Sequence, residues 1–144
     1  MIKLKFNSKE KCIRFLKKPL ELTKILEKKK RELEVKKGNI NTSSAISYGI
    51  KSNSINKKVE NSVIDVIELE EEIKNLEEKI NVTKNLVNNF INKSEKLTYI
   101  EKRILIFRYI DFLSFEEIAY IEGYGIQNIY KNHKKSIKNI VEYS

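Results

Sequence analysis

The sequence predicts an all-α protein: a long amino-terminal helical hairpin of coiled-coil character, then a carboxy-terminal set of shorter helices. Three observations carry that expectation. Helix breakers are scarce, with one Pro and four Gly in 144 residues, while Lys, Glu and Leu are abundant and all favour helices. An apolar position recurs every seven residues through the middle of the chain, the period of a coiled-coil seam. Two capping signatures stand close together near the carboxy-terminal end. The expected division is residues 1–94 for the hairpin, with a loop at 38–54, and residues 95–144 for a helix-turn-helix domain.

The first helix is expected from Ser8 to Lys37. Ile13, Leu16, Leu20, Ile25, Leu26 and Leu33 recur at helical spacing and form its apolar side. Pro19 lies inside this stretch and is expected to kink or split it, because it has no N–H to donate. Gly38 is the expected stop. Residues 38–54, rich in Asn, Ser, Gly and Thr, show no period and read as a loop.

The second helix is expected from about Ile55 to Lys93. Val59, Val66, Ile73, Ile80 and Val87 hold one seam position, and Ser62, Leu69, Leu76, Thr83 and Phe90 the other. Such a helix is on the order of 60 Å long at about 1.5 Å per residue, and its seam needs a partner.

Charge indicates the partner. The chain carries a net charge of +9 and a pI near 9.5. Residues 1–37 hold 14 Lys or Arg against 5 Asp or Glu, and the remaining residues hold 15 of each sign. The second helix begins acidic, with Glu60, Asp65, Glu68, Glu70, Glu71 and Glu72. Folding Lys28, Lys29, Lys30 and Arg31 back against it would pair opposite charges. The same basic run could instead meet a polyanion such as nucleic acid, and the sequence leaves both readings open.

Helix signals then follow in close order. Thr98-Tyr99-Ile100-Glu101 is a capping box, opening a helix that buries Ile100, Ile104, Phe107 and either Tyr109 or Ile110. Ser114-Phe115-Glu116-Glu117 is a second box, opening a short helix through Ile118 and Ala119. Gly123 permits a positive-φ turn. A third helix starts near Gly125 and buries Ile126, Ile129, His133, Ile137 and Ile140. A short helix, a Gly turn and a following helix form the helix-turn-helix pattern, with Ala119 where the helices approach closely. Gln127, Asn128, Lys131, Asn132, Lys134, Lys135 and Lys138 fall away from the apolar stripe. A solvated face alone would explain the lysines. Gln and Asn near the helix start are more informative, because their amides can pair bidentately with adenine in the major groove.

These residues resemble a known family. Leu113-Ser114-Phe115-Glu116-Glu117-Ile118-Ala119, then Gly123, then Ile129-Tyr130 with His133 and Ser136-Ile137, are similar to region 4 of the sigma-70 factors. They are more similar still to the sigma-region-4-like regulators of phages and prophages of low-GC Gram-positive bacteria, the group with the ArpU and RinA type late-gene regulators. The resemblance covers about residues 97–141. It implies a DNA-binding transcription regulator, an activator of phage late genes at a promoter with RNA polymerase. It further implies that Ser114 caps the first motif helix, that Ala119 and Gly123 shape the turn, and that residues 127–135 read double-stranded DNA. Two departures stand out. Gly125 replaces the usual Ser or Thr at the recognition-helix start, and Glu122 replaces an apolar residue, which could rotate the first motif helix slightly. The alternatives are a phage DNA-packaging protein of the small-terminase kind, and a helical protein-interaction module.

Enzyme chemistry finds no pattern here. His133, the only histidine, lies on the apolar stripe and reads as a packed, hydrogen-bonded ring. It and Cys12, the only cysteine, have no metal-ligand spacing. No Gly-rich phosphate loop occurs. The expectation is therefore no enzyme, no metal and no cofactor. Tyr120, Tyr124 and Tyr130 read as core or DNA-backbone contacts. No apolar run reaches membrane-spanning length and no signal core is present, so the expected location is the cytoplasm of a bacterial host. The seam is longer than the first helix covers beyond Pro19, which leads to the expectation of a homodimer.

Overall fold

The apolar spacing and the paired caps produce five helices and no strand among the described residues. The computed structural model describes residues 5–46 and 53–143, with side chains described for residues 5–40 and 60–142. The helices are α1 (Lys9–Ile46), α2 (Asn53–Lys93), α3 (Tyr99–Tyr109), α4 (Phe115–Glu122) and α5 (Ile126–Tyr143).

Helix α1 passes both expected interruptions. Ser8 opens it, accepting the Lys11 N–H on its hydroxyl at 3.2 Å and the Cys12 N–H on its carbonyl at 3.2 Å. Pro19 lies inside the helix without dividing it, and its ring is fully buried. Gly38 does not end the helix, which continues to Ile46. Asn, Ser and Thr are poorer than Ala by under about 1 kcal/mol each, too little to force an end. Since α2 begins at Asn53, helix occupies much of the expected 38–54 loop, and residues 47–52 lie outside the described residues.

The chain divides into two compact units, Met1–Glu21 with Asn81–Ser144, and Leu22–Ile80. This differs from a break between residues 94 and 95. The reason is a shared core. Cys12 and Leu16 of α1 and Val87 and Ile91 of α2 belong to one buried cluster with Leu105 and Tyr109 of α3 and Ile137 and Ile140 of α5. Phe6, Phe15 and Phe90 close one side, with ring centroids 5.3–5.5 Å apart. The two ends of the expected hairpin thus fold with the shorter helices.

In the Leu22–Ile80 unit, α1 and α2 run antiparallel. Leu22 and Leu26 pack with Leu69, Ile73 and Ile80, flanked by Leu33 and Leu76. Ile25 is exposed, contrary to expectation. Adjacent residues point about 100° apart on a helix, and Leu26 takes the inward place. The expected charge pairing is present: Lys29–Glu72 at 2.8 Å, Lys30–Glu77 at 3.4 Å and Lys37–Glu70 at 3.2 Å. From residue 60 onward every seam position of α2 is buried or half-buried, while Val59 lies outside the described side chains. Ser62, Val66, Leu76, Thr83 and Phe90 are the half-buried ones. The exposed apolar residues of α2, including Ile64, Ile67 and Leu86, lie off the seam.

Candidate nucleic-acid interface

Helices α3, α4 and α5 form a small layered bundle within the first unit. Thr98 and Ser114 cap their helices as expected, while each Glu carboxylate meets the cap hydroxyl rather than the cap N–H. Thr98 accepts the Glu101 N–H at 3.3 Å, and its hydroxyl donates to the Glu101 carboxylate at 3.0 Å. Ser114 accepts the Glu117 N–H at 3.1 Å and donates to the Glu117 carboxylate at 3.1 Å. The carboxylate in each box reaches the cap hydroxyl, which orients it as an acceptor for the helix N–H.

Helix α4 ends at Gly123, which adopts φ 71° and ψ 24° and sends its N–H to Ala119 O. The Tyr124 N–H reaches the same carbonyl at 3.1 Å. This left-handed cap favours Gly because L side chains rarely adopt a positive φ; no other part of the fold crowds the position. Gly125 then opens α5, its carbonyl accepting the N–H of Asn128 at 3.0 Å and of Ile129 at 3.2 Å. Ile104, Ile118, Ala119 and Ile129 are the buried junction of the three helices. Phe112, between α3 and α4, also adopts a positive φ of 59°, and the Lys84 ammonium lies 4.9 Å from its ring centroid.

Buried polar groups fix how α5 sits. Tyr109, rather than Ile110, is the buried member of that pair on α3, and its hydroxyl lies 2.7 Å from His133 Nε2. Burial pushes the Tyr109 hydroxyl up to about 12, so it keeps its proton. Burial, with the nearby Arg108 and Lys17 charges, pushes His133 down to about 4, so the imidazole is neutral. Phe115 packs edge-on to the His133 ring at 5.0 Å. The packed histidine read from the sequence is the histidine observed.

Other fixing contacts were not read from the sequence. Glu101 is only 1% exposed, and its carboxylate accepts from Asn139 of α5 at 3.4 Å. Ser136 is fully buried and its hydroxyl donates to the His133 carbonyl at 2.6 Å. Glu122 holds Arg103 of α3 at 2.7 Å, so a charged residue is accommodated where the resembled family has an apolar one. The capping box did mark Glu101, but nothing local pairs Glu122 with a residue on another helix.

The opposite face of α5 is open. Gln127, Asn128, Lys131, Lys134, Lys135 and Lys138 are exposed, and Asn132 is half-buried on the flank. The Asn132 amide donates to the Asn128 carbonyl at 2.9 Å and to its side-chain oxygen at 3.3 Å, which braces Asn128. Lys138 lies 3.9 Å from Glu142. Among the described residues, Lys131, Lys134 and Lys135 have no carboxylate within ion-pair distance. The tyrosines are not core: Tyr120 is 90% exposed, and Tyr124 and Tyr130 are exposed as well. Tyr130 packs on Phe115 with ring centroids 4.7 Å apart and the rings tilted by 46°.

The face thus offers side-chain amides near the helix start and ammonium groups along its length, on a helix held from behind. The chain matches no family model, no curated protein and no solved structure. Among the described residues, no helix is long and apolar enough to cross a membrane.

Proposed function

We propose that this chain is a DNA-binding transcription regulator, with α4 and α5 as its helix-turn-helix, activating phage late genes at a promoter together with RNA polymerase. The observation that carries the reading is the two-sidedness of α5. Its inner face is locked by Ile129, His133, Ser136, Ile137 and Ile140, while its outer face presents Gln127, Asn128, Lys131, Lys134 and Lys135 to solvent. Base readout needs side chains held in register on a rigid element. The inner packing supplies the rigidity, and the outer residues are of the types that meet adenine edges and phosphates.

The roles divide by position. Gln127 and Asn128 stand in the first turn of α5, where base edges come within reach in the helix-turn-helix docking mode. Lys131 reaches a guanine or a phosphate. Lys134, Lys135 and Lys138 meet phosphates, with Asn132 steadying Asn128. Sites selected from a randomised duplex pool give the specific sequence, and anisotropy titration then separates the roles. Gln127→Ala or Asn128→Ala is expected to cost about 1–3 kcal/mol on the selected site and to relax preference there. Lys135→Ala is expected to weaken all duplexes alike and to lower the salt slope by about one unit. If the α5 amide variants, still folded, keep both affinity and preference, α5 is not the reading helix.

A further inference from the structure

The basic segment at the start of the chain has two different surroundings. In the Leu22–Ile80 unit, Lys29, Lys30 and Lys37 each meet a carboxylate of α2. In the other unit, Arg14, Lys17 and Lys18 are exposed on α1. Among the described residues none of these three has a carboxylate within ion-pair distance. Exposed Glu10 and Glu21 offset part of that charge, but Lys9 and Lys11 add to it.

The placement matters because this stretch of α1 packs with α5. Cys12 and Leu16 share their buried cluster with Ile137 and Ile140. Lys17 follows Leu16 directly, and its charge bears on His133 of α5. Arg14 and Lys17 are three residues apart, so they share one face of α1. Across the same unit, α5 carries Lys131, Lys134 and Lys135, equally without carboxylate partners. Both sets are exposed cations of one compact unit without carboxylate partners, and a polyanion that displaces counterions from such groups gains affinity.

We propose that Arg14 and Lys17 form a second phosphate grip beside α5, holding the backbone of a duplex whose bases α5 reads. Lys29, Lys30 and Lys37 are engaged by α2 and take no part. This rests on the DNA-binding reading above and adds a contact that the recognition helix alone does not supply.

The test compares two double variants of the full chain that remove equal charge. Both replace exposed or half-exposed side chains with Gln, itself a good helix former, and circular dichroism checks the fold. Arg14→Gln/Lys17→Gln is expected to reduce the slope of log affinity against log salt by about two units, on selected and random duplexes alike, at about 0.9 unit per phosphate contact. Lys29→Gln/Lys30→Gln is expected to leave the slope unchanged. Equal losses in the two variants would mean a net-charge effect and overturn the grip. An unchanged slope in Arg14→Gln/Lys17→Gln, with base preference still lost in Gln127→Ala, would overturn the grip alone. If the unmodified chain binds no duplex, both readings fall.

Discussion

The two compact units are built from the same two long helices, yet they close their interiors differently. In the unit containing α3, α4 and α5, the core is sealed: Leu16, Val87, Ile91, Ile104, Leu105, Ile118 and Ile129 are all 0% exposed. In the Leu22–Ile80 unit, the core residues Leu22, Leu26, Leu69, Ile73 and Ile80 keep 4–9% exposure. Two helices cover one seam and leave its rim wet, whereas added helices on further sides exclude water. The hairpin is specified by period and charge. The bundle is specified by caps, a left-handed turn and buried polar pairs.

That contrast has a measurable size. Leu105→Ala removes a fully enclosed side chain and is expected to cost about 3–4 kcal/mol, because packed neighbours relax only partly into the gap. Leu69→Ala, at the wet seam, is expected to cost about half as much, since water and the facing side chains can close on it. Urea unfolding followed by circular dichroism measures both, and equal losses would show that the hairpin packs as tightly as the bundle.

A smaller effect separates the units by pH. His133 is held below its ordinary value in the folded protein, so the unfolded chain takes up a proton more readily. Its contribution to stability is complete above the unfolded value near about 6.5 and is lost as pH falls toward about 4. Stability is expected to drop by about 1.4 kcal/mol between about pH 7.5 and about pH 5.5. His133→Gln should flatten that dependence, as no other histidine exists in the chain. A slope that persists in the variant would assign it to another group.

The smallest effect belongs to the hairpin surface. Lys37 and Glu70 are about half exposed, and such a pair contributes only about 0.2–1 kcal/mol. Lys37→Gln should therefore shift stability by a few tenths of a kcal/mol at low salt, and by less at about 1 M salt, where screening is strong. A loss above about 1 kcal/mol would mean that the charges, rather than the seam, hold the hairpin together.

How much of this was legible in the sequence follows from the range of each signal. The caps at Thr98 and Ser114, the turn at Gly123 and the heptad seam are local patterns, and each was read correctly. The charge pairing across the hairpin was legible because long blocks of opposite sign tolerate errors of register. The outward placement of Gln127, Asn128, Lys131, Lys134, Lys135 and Lys138 was legible from the period of α5, whereas what they bind remains a proposal. Contacts between single residues far apart in the chain were not legible. Glu122 finds Arg103 and Glu101 finds Asn139 only after three helices have packed. The same is true of the division into units, because the apolar ends of α1 and α2 do not announce which helices will cover them. Residues 38–46 misled for another reason: their weak helix propensities describe an isolated segment, and a helix already nucleated upstream extends at little cost per residue.

The free thiol of Cys12 sits at the centre of the sealed core, fully buried, and burial pushes it up to about 11. Reaction with an alkylating or oxidising reagent needs both access and a thiolate, and the closed bundle withholds both. The sulfur is therefore a clock for opening. It stays silent while α1 is seated among its neighbours, and it reacts only during the intervals when that helix comes free. Labelling kinetics count those intervals. A duplex that engages α1 as well as α5 should lengthen the time between them.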